Sequence, residues 1–136
     1  MSARKEVFYL GEGHKHSSPI PEAVRGGGFV YLSAVRGVDP ATGNPPEDAE
    51  QQARLLFDNM KLALGAAGAT LADVVKVAVY MMDLQRDRPV FNRVWQEHFG
   101  DEPPARFAVQ VLDMGVEGDN SKFLADVTAL APSAAR

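Results

Sequence analysis

Arg106 heads an alternating stretch, Ala105-Arg106-Phe107-Ala108-Val109-Gln110-Val111, directly behind Pro103-Pro104. The prolines discourage a continuing helix, and the alternation predicts a half-buried strand. In that register Arg106 shares a face with Ala108 and Gln110, while Phe107, Val109 and Val111 share the other. A guanidinium fixed at a strand start offers a planar fork to a carboxylate. Two readings stand side by side: a structural ion pair capping the sheet, and an anchor for a carboxylate ligand.

Asp126 is a second candidate. Residues 123–130 alternate Phe123, Ala125, Val127 and Ala129 against Leu124, Asp126, Thr128 and Leu130. An acid within such a strand must be paired, hydrated or functional. Its partner would be a cation such as Arg106; its function would be to position or deprotonate a water. Asn92, at the start of a predicted helix, could donate or accept in a cleft, or simply be solvated.

Other chemistry-bearing residues point less clearly. His14 and His16 form an H-x-H pair, but no obvious third ligand follows, so no metal site is expected. His98 falls on the apolar side of a helix, where a core or interface role is expected. Ser33 lacks a nucleophile-elbow context. Gly26-Gly27-Gly28 precedes a strand rather than a helix and reads as a turn, not a phosphate loop.

The elements that must position these groups can be read from periodicity. Short strands are expected at 7–10 and 29–35, with a strong turn at Asp39-Pro40-Ala41-Thr42-Gly43. An amphipathic helix spans about 48–65, its buried stripe built from Ala53, Phe57, Met60 and Leu64. A strand follows at 74–82. A second helix starts with Asp87 as N-cap and Pro89 in its first turn, buries Phe91, Val94, Trp95, His98 and Phe99, and stops at Gly100. The Arg106 strand and a last strand at 122–130 complete the order. This predicts an α+β domain, a mixed sheet with two helices packed on one face. The other face, with Ala78, Tyr80 and Met82, is left for another subunit.

The 136 residues make one domain, 1–136, with room for a real core. A net charge of −4 argues against a broad nucleic-acid surface and against ribonuclease activity. The absence of cysteine excludes disulfides and thiolate catalysis. No apolar run reaches the ~20 residues of a membrane span, and the N-terminal apolar patch is too short for a signal peptide. A cytoplasmic protein without membrane contact is expected.

These residues, in this order, resemble the YjgF/RidA family over 17–131. The resemblance rests on Glu22-Ala23-Val24, Ser33 at a strand end, Asp39-Pro40-Ala41-Thr42-Gly43, Gln52 through Asn59-Met60, Ala66-Ala67-Gly68, Val74-Val75-Lys76-Val77, Asp83-Leu84, Phe91-Asn92 and Pro104-Ala105-Arg106. It implies a chorismate-mutase-like fold and a homotrimer with clefts between subunits. It also implies hydrolysis of enamines and imines, such as 2-aminoacrylate, to a 2-keto acid and ammonia without a cofactor. By the same resemblance Arg106 grips the substrate carboxylate, Asp126 positions water and Asn92 matches the family asparagine.

The departures are specific. The family tyrosine falls on Ile20 or its neighbours, and Ser-Gly-Gln becomes Ser33-Ala34-Val35. The positions after the arginine hold Phe107 and Ala108 where serine and cysteine are frequent, and Asp126 replaces a glutamate. They point to a larger or more apolar substrate. Arg36 is a further cation near the expected cleft. The alternatives are a non-catalytic member that binds a small carboxylate-bearing metabolite, and an aminomuconate-type deaminase.

Overall fold

The computed structural model describes residues 4–10, 19–115 and 119–132. In chain order the elements are β1 (Glu6–Phe8), β2 (Ala23–Gly26), β3 (Phe29–Leu32), β4 (Val35–Arg36), α1 (Ala49–Ala66), a 3₁₀ turn (Leu71–Asp73), β5 (Val74–Met81), α2 (Leu84–Phe99), β6 (Ala105–Gln110) and β7 (Phe123–Leu130). The strands form one sheet in the order β1-β2-β3-β7-β5-β6, with β4 also paired to β7. Only β5 and β6 run parallel; the other pairs are antiparallel. The mixed sheet with two helices is therefore as the sequence predicts. No helix among the described residues is long and apolar enough to cross a membrane.

Several boundaries differ, for local reasons. β2 lies where no strand is expected from the sequence; it is hairpinned to β3 through Gly27 and Gly28, whose φ values of 61° and 85° suit a tight primed turn. The expected strand at 29–35 breaks after Leu32, and β4 resumes pairing farther along β7. α1 begins as expected, with the Asp48 carboxylate accepting from the Gln51 amide at 3.1 Å. α2 begins one turn before the expected site: Asp83 is the N-cap, accepting from the Arg86 amide at 3.0 Å. Asp87 is instead buried inside the helix, its carboxylate accepting from Arg86 Nε (3.0 Å) and Nη2 (2.9 Å). Pro89 consequently lies past the first turn, where its missing N–H leaves one carbonyl without a helical donor. A register shift near Val74 turns Val74 into the core and Val75 outward.

Between helices and sheet lies an aromatic core. Phe91 packs 6.0 Å from Phe57 and 5.0 Å from Phe123, centroid to centroid, and Trp95 packs 4.6 Å from Phe99. Each such burial contributes roughly 2–3 kcal/mol. His98 joins this cluster, stacked on Phe57 at 4.3 Å with Nδ1 2.8 Å from the Val94 carbonyl, as a core histidine would.

Two helical amides turn out to be clamps. Gln52 is fully buried; its Nε2 donates to the carbonyls of Pro46 (2.7 Å) and Asn120 (2.9 Å), and its Oε1 accepts from the Lys122 amide (2.8 Å). Asn59 donates to the carbonyls of Arg36 (3.0 Å) and Val38 (2.8 Å). Both satisfy loop backbone that α1 would otherwise bury unpaired. Gly37 makes the approach possible, since a Cβ there would lie 2.0 Å from the Gln52 carbonyl oxygen. Gly37→Ala should destabilise the fold by about 3 kcal/mol, because rigid backbone cannot yield; urea unfolding will read this as a lower midpoint.

Candidate functional site

β6 is the edge of the sheet, and its residues alternate as expected. Arg106 pairs with core-facing Val77, and Phe107 pairs with Ala78 on the opposite face. Arg106 therefore rises on the helix side, beneath α2. Its Nη2 donates to Asn92 Oδ1 at 2.7 Å. Its Cζ lies 4.8 Å from the Trp95 ring centroid and 5.4 Å from that of Phe91, within cation–π range. Gln110, on the same face, accepts from the Leu84 amide at 2.9 Å and ties the start of α2 to the end of β6.

The two attachments fit one another in length. From Leu84 to Asn92 a helix rises about 12 Å; from Gln110 back to Arg106 a strand spans about 13 Å. α2 thus lies along β6 with Asn92 held over the arginine.

Arg106 opens into a groove of about 520 Å³ lined by Arg88, Asn92, Trp95, Gln96, Pro103, Pro104, Phe107 and Ala108. Its guanidinium is half-buried, and desolvation followed by the nearby charge of Arg88 pushes it below the usual arginine value. No carboxylate among the described residues pairs with it. The structural ion-pair reading therefore has no partner among the described residues. An oriented, partly desolvated cation without a counter-ion favours an incoming anion.

Of the residues singled out from sequence, Arg106, Asn92, Phe107 and Ala108 meet at this groove. Ile20, Ser33 and Asp126 do not line it. Ile20 is exposed, and Ser33 donates its amide to the Glu22 carbonyl at 3.2 Å. Asp126 pairs with Ala78 in the sheet and is exposed on the face that carries Phe107, opposite Arg106. A salt bridge between Asp126 and Arg106 of one chain is thereby excluded by strand parity. Arg36 is engaged by Asp119 and by Ser121 Oγ (2.9 Å), so it is not a free cation. His14 and His16 lie outside the described residues; among those described, no cluster suitable for a metal ion occurs.

Trp95 and Arg88 were not singled out as site residues. Their signal was present in the spacing: Arg88, Asn92 and Trp95 recur at four and three, one face of a helix.

Asn92 orients Arg106 through one exposed hydrogen bond. For a small carboxylate received by Arg106, Asn92→Ala should weaken binding about fivefold, the worth of roughly 1 kcal/mol, with little change in melting temperature; calorimetric titration with pyruvate will measure it. A separate expectation concerns Asp119. Burial pushes its carboxyl up, but Ser121 and Arg36 more than offset this and hold it below the usual value. Its stabilising contribution is full above the unfolded value near pH 4 and fades as pH falls through the lower folded value. Asp119→Asn should therefore cost stability at pH 7 and make the acid limb of a melting-temperature profile shallower.

Known proteins place this geometry. A family model described as Endoribonuclease L-PSP matches residues 15–129. A RutC family protein of Pyrococcus abyssi is 39% identical over 108 residues, covering 79% of this chain and 84% of that one. An Escherichia coli K12 protein named "Putative reactive intermediate deaminase TdcF" is 35% identical over 96 residues, covering 68% of this chain and 74% of that one. The structure of RidA from the Antarctic bacterium Psychrobacter superposes with a TM-score of 0.82 at 30% identity, covering 92% of this chain and 98% of that one. With the model spanning most of the sequence and the fold shared, the chain belongs to the YjgF/RidA family.

Proposed function

We propose that this protein hydrolyses reactive enamine and imine acids to 2-keto acids and ammonia, with Arg106 anchoring the substrate carboxylate. The observation that carries the reading is the guanidinium itself: half-buried, aimed by Asn92 and Trp95, and without a carboxylate partner among the described residues. The relative named as a reactive intermediate deaminase supports the reaction class. Net charge of −4 supports it over a nucleic-acid substrate.

The chemistry asks little of the protein. An enamine gains a proton at carbon and becomes an iminium ion, the same electrophile that an imine becomes when its nitrogen is protonated. Water adds to that carbon, a proton moves from oxygen to nitrogen, and the C–N bond breaks to leave a carbonyl and ammonia. The protein needs to hold the carboxylate, place the water and move protons. Holding falls to Arg106, with Phe107 and Ala108 shaping the groove beside it. Asp126 faces away from its own chain's groove, so in this reading it positions water in a cleft shared with a neighbouring copy. A homotrimer closed over the outer sheet faces supplies such clefts. The exposed Phe29, Tyr31, Phe107, Val109 and Leu130 on those faces support that closure. A cytoplasmic setting, where pyridoxal-phosphate enzymes release such intermediates, completes the proposal.

The absence of an acid among the described residues that line the groove favours a second reading, a non-catalytic member that only binds a carboxylate metabolite. Turnover separates the two. With 2-aminoacrylate generated by a dehydratase, the protein should accelerate pyruvate release, and Arg106→Ala should lower that acceleration about a hundredfold. An unchanged rate with wild-type protein would leave only the binding reading. Equal rates for wild type and Arg106→Ala would remove the anchor.

A further inference from the structure

The groove holds a second cation that the proposed deamination does not need. Arg88 lines it together with Arg106, reaching it from α2 one turn before Asn92. Arg88 has no ion-pair or hydrogen-bond partner among the described residues. The nearest acid in sequence, Asp87, is buried and already gripped by Arg86 at 2.9 and 3.0 Å. Among the described residues, no acid lines the groove. The chain as a whole is nevertheless acidic, at −4, so this pair of cations is a local inversion of its charge. Like charges brought together without an intervening acid cost free energy unless an anion joins them.

We propose that Arg88 makes the groove selective for substrates with two carboxylates, Arg106 holding the one beside the imine carbon and Arg88 the distal one. This deepens the deaminase reading and rests on Arg106 as anchor. It names the substrate class as dicarboxylic 2-imino or 2-enamino acids. Phe107 and the prolines 103 and 104 would then wall the carbon chain between the two charged ends. Arg88 is exposed, so it acts as a rim charge that discriminates between ligands more than it adds raw affinity.

The test compares two stable keto acids of equal chain length, 2-oxoglutarate and 2-oxopentanoate, which differ only in a distal carboxylate against a methyl group. Calorimetric titration of the intact protein should show 2-oxoglutarate binding about fivefold tighter or more. In Arg88→Gln that preference should shrink to within about twofold. Arg93→Gln makes the same charge change on the same helix, at a residue paired to Glu50 and absent from the groove lining, and should keep the preference. Equal affinities in wild type, or a preference that survives Arg88→Gln, or one lost equally in Arg93→Gln, would overturn the assignment. Arg106→Gln reports separately on the anchor. Loss of both ligands in that variant upholds it, so equal affinities in wild type would then count against Arg88 alone. Undiminished binding of both ligands by Arg106→Gln would instead remove the anchor and the two-point arrangement with it.

Discussion

β5 and β6 lie side by side in parallel, and parallel neighbours cannot be joined by a tight turn. The chain has to leave the end of one strand, cross the sheet and re-enter at the start of the other. α2 is that crossing. Its apolar stripe, Phe91, Val94 and Trp95, seals the core over β5 and β7. The same crossing carries Asn92 above the first residues of β6, where Arg106 stands. Aromatic packing and guanidinium placement are therefore one event: Phe91 and Trp95 serve the core with one part of their rings and the arginine with another. A site built this way inherits the rigidity of the core rather than the mobility of a loop.

The cost of the arrangement is electrostatic. Partial desolvation and a neighbouring cation both disfavour the charged guanidinium, and nothing within the described chain neutralises it. Elsewhere four arginines meet carboxylates, Arg36 with Asp119, Arg54 with Glu97, Arg93 with Glu50 and Arg86 with Asp87, while Arg25 donates to the carbonyls of Ala67 and Pro132. On the proposed reading, the uncompensated pair in the groove is where stability is given up for binding.

The fold was legible where periodicity was long. α1, β5 and β7 announce themselves through sustained apolar spacing, and the alternation after Pro104 groups Arg106 with Gln110 against Phe107, as β6 does. Short pieces were hidden: β2 has no alternation to read, and β4 is only two residues held by its pairing to β7. The start of α2 was misplaced because Asp87-Arg88-Pro89 imitates a helix opening, while Asp83 does the capping one turn earlier. At the site, Arg106 and Asn92 could be named from sequence, whereas the contact between them depends on the crossover. Gln52 and Asn59 resemble the family's helical pattern; their work is to satisfy buried loop backbone, which no one-dimensional pattern reveals. Asp126 shows the limit most clearly, since strand parity sets it on the far face from Arg106 and only an assembly of copies can bring such faces together.

The matched lengths of α2 and β6 also say something about how this region can change over evolutionary time. Between Leu84 and Asn92 the helix acts as a ruler whose two ends are fixed on the strand. Replacing an exposed side chain along it leaves the ruler intact. Adding or deleting one residue does not: it turns everything beyond by about 100° and shifts it by about 1.5 Å, carrying Asn92 off the arginine and Trp95 out of the core. The segment should thus accept change at its exposed positions away from Arg88 and Asn92, but no change in residue count.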